Sequence, residues 1–210
     1  MSKIQEVAAA VEAGKGKLVA GLVQEALDAG AAPAEVLDAM IGAMGVIGDK
    51  FKANEIFVPE MLVAARAMQK GVAVIKPLLA GDNSTTVGKA IIGTVSGDLH
   101  DIGKNLVCMM IESAGFDITD LGVDVPKEKF IEAVKADPSI NLVCLSALLT
   151  TTMPAMKETA EALIEAGVKE QAKILVGGAP ITQAFADEIG ADGYAPDAAS
   201  AAEKAKELVK

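Results

Sequence analysis

Apolar residues recur at helical spacing through the first 80 positions of the chain. Ile4, Val7, Ala8 and Val11 share one helix face, and Leu18, Leu22, Val23, Ala26 and Leu27 share a second. Val36, Leu37, Met40, Ile41, Met44, Ile47 and Phe51 make a third set. Met61, Leu62, Ala65, Met68, Val72, Ile75 and Leu79 make a fourth. Gly30 with Pro33 serves as a stop and restart, and Pro59 suits the first turn of a helix. Four helices on short links predict a small bundle. Residues 81–85, Gly-Asp-Asn-Ser-Thr, have the composition of a linker. The chain is therefore expected to divide into a helical domain over 1–83 and a second domain over 84–210.

From Lys89 the period changes. Short β-rich runs over 90–95, 116–121, 142–146, 174–176 and 191–194 alternate with helical stretches over 102–114, 127–136, 153–166, 181–188 and 198–208. Five strands alternating with five helices predict an α/β fold, a doubly wound parallel sheet of flavodoxin-like or Rossmann-like type. Right-handed crossovers put helices on both faces. Ligands then bind at the carboxyl ends of the strands, so the chemistry is expected in the loops after the first, third, fourth and fifth.

Composition narrows the classes. The chain has 210 residues, a net charge of -10 from 19 basic and 29 acidic side chains, two Cys, one His and 3% aromatics. One His and two Cys cannot assemble a zinc site of four Cys, of two Cys with two His, or of three His. An acidic chain without a basic cluster is a poor binder of phosphate backbones, and single-stranded bases would find few aromatic platforms, so no nucleic-acid partner is expected. No apolar run approaches the roughly 20 residues of a spanning helix, and the N-terminus lacks a secretory pattern. No membrane partner is expected. Cys108 and Cys144 lie in apolar runs and read as reduced core thiols, which points to the cytoplasm.

The loop after the first strand, residues 93–105, holds Asp98, His100, Asp101 and Gly103. Gly97 and Gly103 permit close backbone approach, and Asp101 is placed to cap the helix that begins at Ile102. On spacing alone the loop reads equally as an ordinary strand-to-helix turn with a surface His. It lacks both phosphate-cradling spacings. The order Asp98-x-His100-x-x-Gly103 carries more information. An Asp two residues before a His can accept from one imidazole nitrogen, fix the tautomer and leave the other nitrogen free for a metal. A lone His suits a metal whose other donors come from a macrocycle.

Four blocks carry a family resemblance. GDLHDIGKN at 97–105 and DLGVDVP at 120–126 are similar to the cobalamin-binding module of corrinoid proteins and methionine synthase, as are LSALLTTTM at 145–153 and the Gly177-Gly178 pair. GDKFKANEIFVPEML at 48–62 resembles that family's helical cap, and the likeness runs from about residue 14 to 208. The resemblance implies a cobalamin or related corrinoid cofactor with cobalt. It makes His100 the lower axial ligand, displacing the corrinoid's own base and leaving the nucleotide tail free. Asp98 would hydrogen-bond His100, and Thr152, where the family often has Ser, would be the next member of a relay that adjusts ligation by proton uptake. Gly97, Leu99, Asp101, Ile102 and Gly103 would lie against the cofactor. Ser146, Leu148, Thr150, Gly177, Gly178, Tyr194 and Ala198 would line its tail pocket. Phe51 and Val58 would cover the upper face of the corrin, and Leu37 stands where methionine synthase has a Glu reaching the cofactor.

By the same resemblance the protein would carry a methyl group, taken up by Co(I) and passed on from methyl-Co(III). Its partners would be a substrate:corrinoid methyltransferase, a corrinoid:acceptor methyltransferase and a reductive activator, in methanogenesis or acetogenesis. The length leaves no room for the barrels of a complete methionine synthase, so the chain would be a subunit rather than a whole enzyme. The cap would have to move, with residues 81–85 as hinge. The acidic surface suits either basic partner patches or simple solvation. A cobalamin-dependent regulator is the alternative, disfavoured because no DNA-binding segment precedes the cap.

Overall fold

A computed structural model describes residues 2–79 and 86–210. The linker expected at 81–85, and the hinge placed there, lie outside the described residues. The chain falls into two compact units, one helical and one α/β.

The helical unit contains α1 (Lys3–Glu12), α2 (Gly16–Asp28), α3 (Pro33–Lys52) and α4 (Val58–Leu79). Two of the starts have a clear local cause. At α1 a capping box forms: Ser2 Oγ accepts from Gln5 N at 3.3 Å while Gln5 Oε1 accepts from Ser2 N at 3.0 Å. At α3, Pro33 supplies the first helical residue and Glu35 reaches back to accept from Ala32 N at 3.3 Å. Helix α1 packs on α2 and α3, and α4 packs on the same two. The buried residues Val7, Val11, Val23, Ala26, Val36, Met40, Ile47, Met61 and Met68 keep the helical spacing read from the sequence, but in α2 Val19 is buried in place of the expected Leu18, which is exposed.

The α/β unit runs β1 (Gly88–Thr94), α5 (Ile102–Ser113), β2 (Phe116–Asp120), α6 (Lys127–Ala136), β3 (Ile140–Ser146), α7 (Met153–Glu165), β4 (Lys173–Gly177), α8 (Gln183–Glu188), β5 (Gly193–Ala195) and α9 (Ala198–Leu208). All pairings are parallel, in the order β2-β1-β3-β4-β5. This is the flavodoxin-like doubly wound order, and its switch point lies between β1 and β3. One apolar cluster joins Ile91, Val143, Leu145 and Val176 to Phe130, Met156 and Leu163. The alternate strand residues Ala90, Ile92, Leu142, Cys144 and Leu175 are also buried, so both faces of the sheet are covered. Burying Phe130 alone is worth about 3 kcal/mol.

Most boundaries move by one or two residues from the sequence reading, β1 and β3 for example starting at Gly88 and Ile140, and two of the shifts have a local cause. The last strand starts at Gly193 because Asp192 is tied to Ile174 twice, its carboxylate accepting from Ile174 N at 2.9 Å and its N–H donating to Ile174 O at 2.8 Å. Helix α8 starts at Gln183 because Thr182 caps it, Oγ1 accepting from Phe185 N at 3.2 Å. The thiols are unpaired, Cys144 buried and Cys108 half-buried. Burial raises both, Cys108 to about 11, so neither is a thiolate near neutrality. Among the described residues no helix is long and apolar enough to cross a membrane.

Register brings the strand ends level. Thr94 pairs with Ser146, Ser146 with Gly177, and Gly177 with Ala195. At the next step the β3 and β4 loops press together, because Gly178 has φ +132 and a Cβ built there would overlap the Ala147 carbonyl. Gly178→Ala is expected to lower stability by on the order of 3 kcal/mol. Chemical denaturation measures this, and an unchanged midpoint would contradict the close approach.

Candidate functional site

The loop after β1 is folded by its own turn and by two neighbours. Val95 donates to Ser146 O at 3.0 Å, and Asp98 N donates back to Val95 O at 3.2 Å. Gly97 takes the left-handed φ of +81 that this reversal requires. The turn puts the Asp98 side chain at 0% exposure.

A buried carboxylate needs compensation, and Asp98 is fully supplied. Its Oδ1 accepts from His100 N at 3.0 Å and lies 2.7 Å from His100 Nδ1. Its Oδ2 accepts from Leu148 N at 2.7 Å and from Thr152 Oγ1 at 2.8 Å. Burial acts to raise the Asp98 pKa, but the donors from Leu148, His100 and Thr152 together outweigh it and leave the group well below the usual carboxylate range. An ionised Asp98 accepts only, so the proton on this side of the imidazole sits on Nδ1, and in the neutral tautomer this selects, the lone pair is on Nε2. The His100 side chain is 49% exposed. Thr94 Oγ1 donates to the His100 carbonyl at 2.8 Å and holds the backbone of the same residue.

Several expected residues join this network and others flank it. Asp98, His100, Leu148 and Thr152 form one bonded unit, with Leu148 contributing its backbone N–H, and Gly97 shapes the turn that carries Asp98. Thr152 ends a short 3-10 turn, Thr150–Thr152, in which Thr150 is exposed. Leu99 and Ile102 stand out at 73% and 86% exposure, bulky aliphatics that solvent alone does not explain. Asp101 holds Asn105, its carbonyl accepting Asn105 N at 2.7 Å and its carboxylate accepting Asn105 Nδ2 at 3.2 Å. A Cβ built on Gly103 would meet nothing within 4 Å. Ser146 and Gly177 sit half-buried in the row of strand ends. Tyr194 lies one residue before that row and packs against the apolar cluster, and Ala198 is buried at the start of α9. In the helical unit Phe51 is half-buried near the end of α3, and Val58 is 40% exposed at the start of α4. Leu37 is buried in α3.

Sequence reasoning missed three parts. Thr94 anchors His100. Lys104 is buried and ion-paired with Asp120, whose other oxygen accepts from Gly122 N at 2.9 Å, so α5 is pinned to the end of β2. Asp124, in the loop after β2, bonds back to the turn at Gly97. A single threonine, lysine or aspartate gives no distinctive spacing, so only the 97–105 and 120–126 blocks hinted at Lys104 and Asp124, and nothing marked Thr94.

This donor set fits a metal that brings its own ring of ligands. Among the described residues no group of three or more His, Cys, Asp or Glu gathers to hold an ion. A single oriented nitrogen instead faces outward from a shelf of exposed aliphatics, beside the open space at Gly103 and the level strand ends. The arrangement lies at the carboxyl ends of the strands beside the switch point, where ligands bind in doubly wound sheets.

Comparison with known proteins agrees. Residues 88–203 match the family model for a B12 binding domain, and residues 3–76 match a second B12 binding domain model. The chain is 43% identical to dimethylamine corrinoid protein 1 of Methanosarcina acetivorans, covering 98% of this chain and 97% of that one. It is 43% identical over 189 residues to trimethylamine corrinoid protein 2 of the same organism, covering 89% of this chain and 87% of that one. Among solved structures, a cobalamin-binding protein from Desulfitobacterium hafniense superposes with a TM-score of 0.83 at 29% identity, over 99% of this chain and 98% of that one. A chain of the methanol:cobalamin methyltransferase complex of Methanosarcina barkeri gives 0.84 at 32% identity, over 99% of this chain and 79% of that one. The protein belongs to the corrinoid (cobalamin-binding) proteins of methyltransferase systems, homologous to the methylamine corrinoid proteins.

Asp98 also sets an acid dependence. Its folded pKa lies below the ordinary 3.8, so its contribution to stability is fully present above that value and is lost as pH falls from there towards the folded value. Denaturation of the native protein and of Asp98→Asn should therefore differ most above pH ~4 and converge at lower pH. A gap that widens on acidification would contradict the ionised, fully bonded carboxylate.

Proposed function

We propose that the protein is a methyl carrier that binds a corrinoid base-off/His-on, with His100 Nε2 as the lower ligand. When bound, the cobalt supplies the transfer chemistry, alternating between Co(I) and a methylated Co(III) state. The remaining work belongs to the chain. Asp98 keeps the proton on Nδ1, so Nε2 stays a lone-pair donor of fixed direction, and the hydrogen bond increases its basicity. Leu148 N and Thr152 Oγ1 occupy the second carboxylate oxygen and hold Asp98 in place. All four acceptor positions of Asp98 are filled, which orients the imidazole, and adjustment of ligation by proton uptake through Asp98 and Thr152 belongs to the same proposal on the strength of the family resemblance. Gly103, Ser146, Thr150, Gly177 and Gly178 leave the way open for a nucleotide tail, with Tyr194 and Ala198 at its far edge. The Asp98–His100 pair at 2.7 Å is the observation that carries this reading.

Shielding of the upper corrin face by Phe51 and Val58 belongs to the same proposal and rests on the family resemblance. So do the partners: a substrate:corrinoid methyltransferase, a corrinoid:acceptor methyltransferase and a reductive activator. The names of the dimethylamine and trimethylamine relatives support a methylated amine as methyl source. Supplying amine-specific and methanol-specific methyltransferases with their substrates tests this, since only the former should methylate the bound corrinoid.

His100→Ala is expected to change the spectrum of the bound corrinoid and to weaken its retention. Gly103→Leu should leave the apoprotein as stable as before, because its Cβ meets open space, yet lower corrinoid retention at least tenfold. An unaltered spectrum in His100→Ala, with corrinoid bound, would sink the axial-ligand assignment. Undiminished retention in Gly103→Leu would remove the tail channel from beside α5.

A further inference from the structure

The four donors around Asp98 explain why its carboxylate stays ionised, but not why the turn that carries it faces this way. Residues 96–98 have few anchors of their own. Ser96 and Gly97 are exposed, and within the turn only Asp98 N makes a backbone bond, to Val95 O. The missing restraint comes from the loop after β2. Asp124 Oδ1 accepts from Gly97 N at 2.7 Å and lies 3.5 Å from Ser96 Oγ. Asp124 N donates to the Asp98 carbonyl at 3.0 Å. One residue thus touches all three members of the turn, from a segment 26 positions further along the chain (124 minus 98).

The backbone of Asp124 is shaped for this. Its φ is +51, one of two positive values among the described non-glycine residues. Asp and Asn tolerate that region better than other side chains. In it the Asp124 N–H and carboxylate both address the neighbouring turn. The flanking residues are already fixed: Gly122 O accepts from Thr94 N at 3.0 Å, and Val125 N donates to Thr94 O at 2.9 Å. The β2 loop is zipped along the end of β1, and Asp124 is its last clasp before the turn.

We infer that Asp124 is a positioning residue for His100, acting through the turn that aims Asp98 and so through the imidazole tautomer. Its carboxylate makes a charge-assisted bond to Gly97 N. Without that bond residues 96–98 gain freedom, and the short Asp98–His100 contact loosens even though Leu148 and Thr152 still hold the other oxygen. The inference rests on the reading of His100 as cofactor ligand, and goes beyond it by assigning the control of its tautomer to a residue outside the Asp-x-His-x-x-Gly motif.

His100 is the one histidine of the chain, which makes the test clean. In full-length apoprotein labelled with nitrogen-15 histidine, long-range proton–nitrogen correlation reports the ratio of the Nδ1–H to the Nε2–H tautomer. Wild type should be dominated by Nδ1–H, and Asp98→Asn should lose that dominance. Asp124→Ala should lower the ratio by roughly two- to tenfold, the equivalent of one modest hydrogen bond. Asp124→Gly removes the carboxylate but relieves the left-handed backbone, and should lower the ratio as Ala does. Asp124→Asn keeps an acceptor oxygen and tolerates the same φ, so it should stay near wild type. Corrinoid reconstitution should follow the same order. A wild-type ratio in both Asp124→Ala and Asp124→Gly overturns the clasp. So does a Gly variant that matches wild type while Ala does not, because the effect would then be backbone strain alone. The parent reading fails separately, if His100→Ala binds corrinoid with an unchanged spectrum.

Discussion

The organisation of the α/β unit converges on one buried charge. Asp98 is wholly enclosed, and an unpaired carboxylate there would be costly enough to unfold the loop or to take up a proton. It avoids both because donors reach it from two loops that only a parallel sheet with β1 beside β3 can bring together. The turn after β1 supplies the two His100 nitrogens, and the segment after β3 supplies Leu148 N–H and the Thr152 hydroxyl. The switch point between β1 and β3 is therefore what allows the carboxylate to exist as an ion, and the ion in turn decides which imidazole nitrogen is left free.

A second layer of restraint explains how such a site stays in register. Thr94 fixes the carbonyl of His100, Asp124 clasps the turn before it, and Lys104 with Asp120 pins the helix after it. These residues surround the loop on both sides in sequence and from two strands in space. The exposed aliphatics Leu99 and Ile102 can then project outward without collapsing inward, since the backbone beneath them is held by polar bonds at fixed points. An oriented imidazole beside an apolar shelf is what a large, partly apolar cofactor requires of its binding face.

Much of this was legible in the amino-acid pattern. The change from helical to alternating period at Lys89 marked the second unit. The strands are legible because their apolar runs, such as 142–146 within Ile140–Ser146, are short and bounded by turn residues. Asp98, His100 and Thr152 stood out by residue type and by the blocks around them. What stayed hidden depends on backbone groups and on distance along the chain. The Leu148 N–H that meets Asp98 is 50 positions away and carries no side-chain signature. Asp124 reads as one more polar loop residue until its positive φ is known. Thr94 looked like the end of an apolar strand, and its hydroxyl became informative only when His100 O lay beside it. The last strand was placed early because the Asp192 side chain mimics a ladder bond that no periodicity records.

The single imidazole of this chain, with Nδ1 held by Asp98, is proposed to give its Nε2 to the cobalt of a corrinoid. The most direct measurement is electron paramagnetic resonance of the reconstituted protein reduced to Co(II), compared between unlabelled histidine and nitrogen-15 histidine. Each cobalt line is expected to be split into three by unlabelled His100 and into two by the labelled residue. A three-line pattern unchanged by the label, arising from the corrinoid's own base, or the absence of nitrogen splitting altogether, would contradict it.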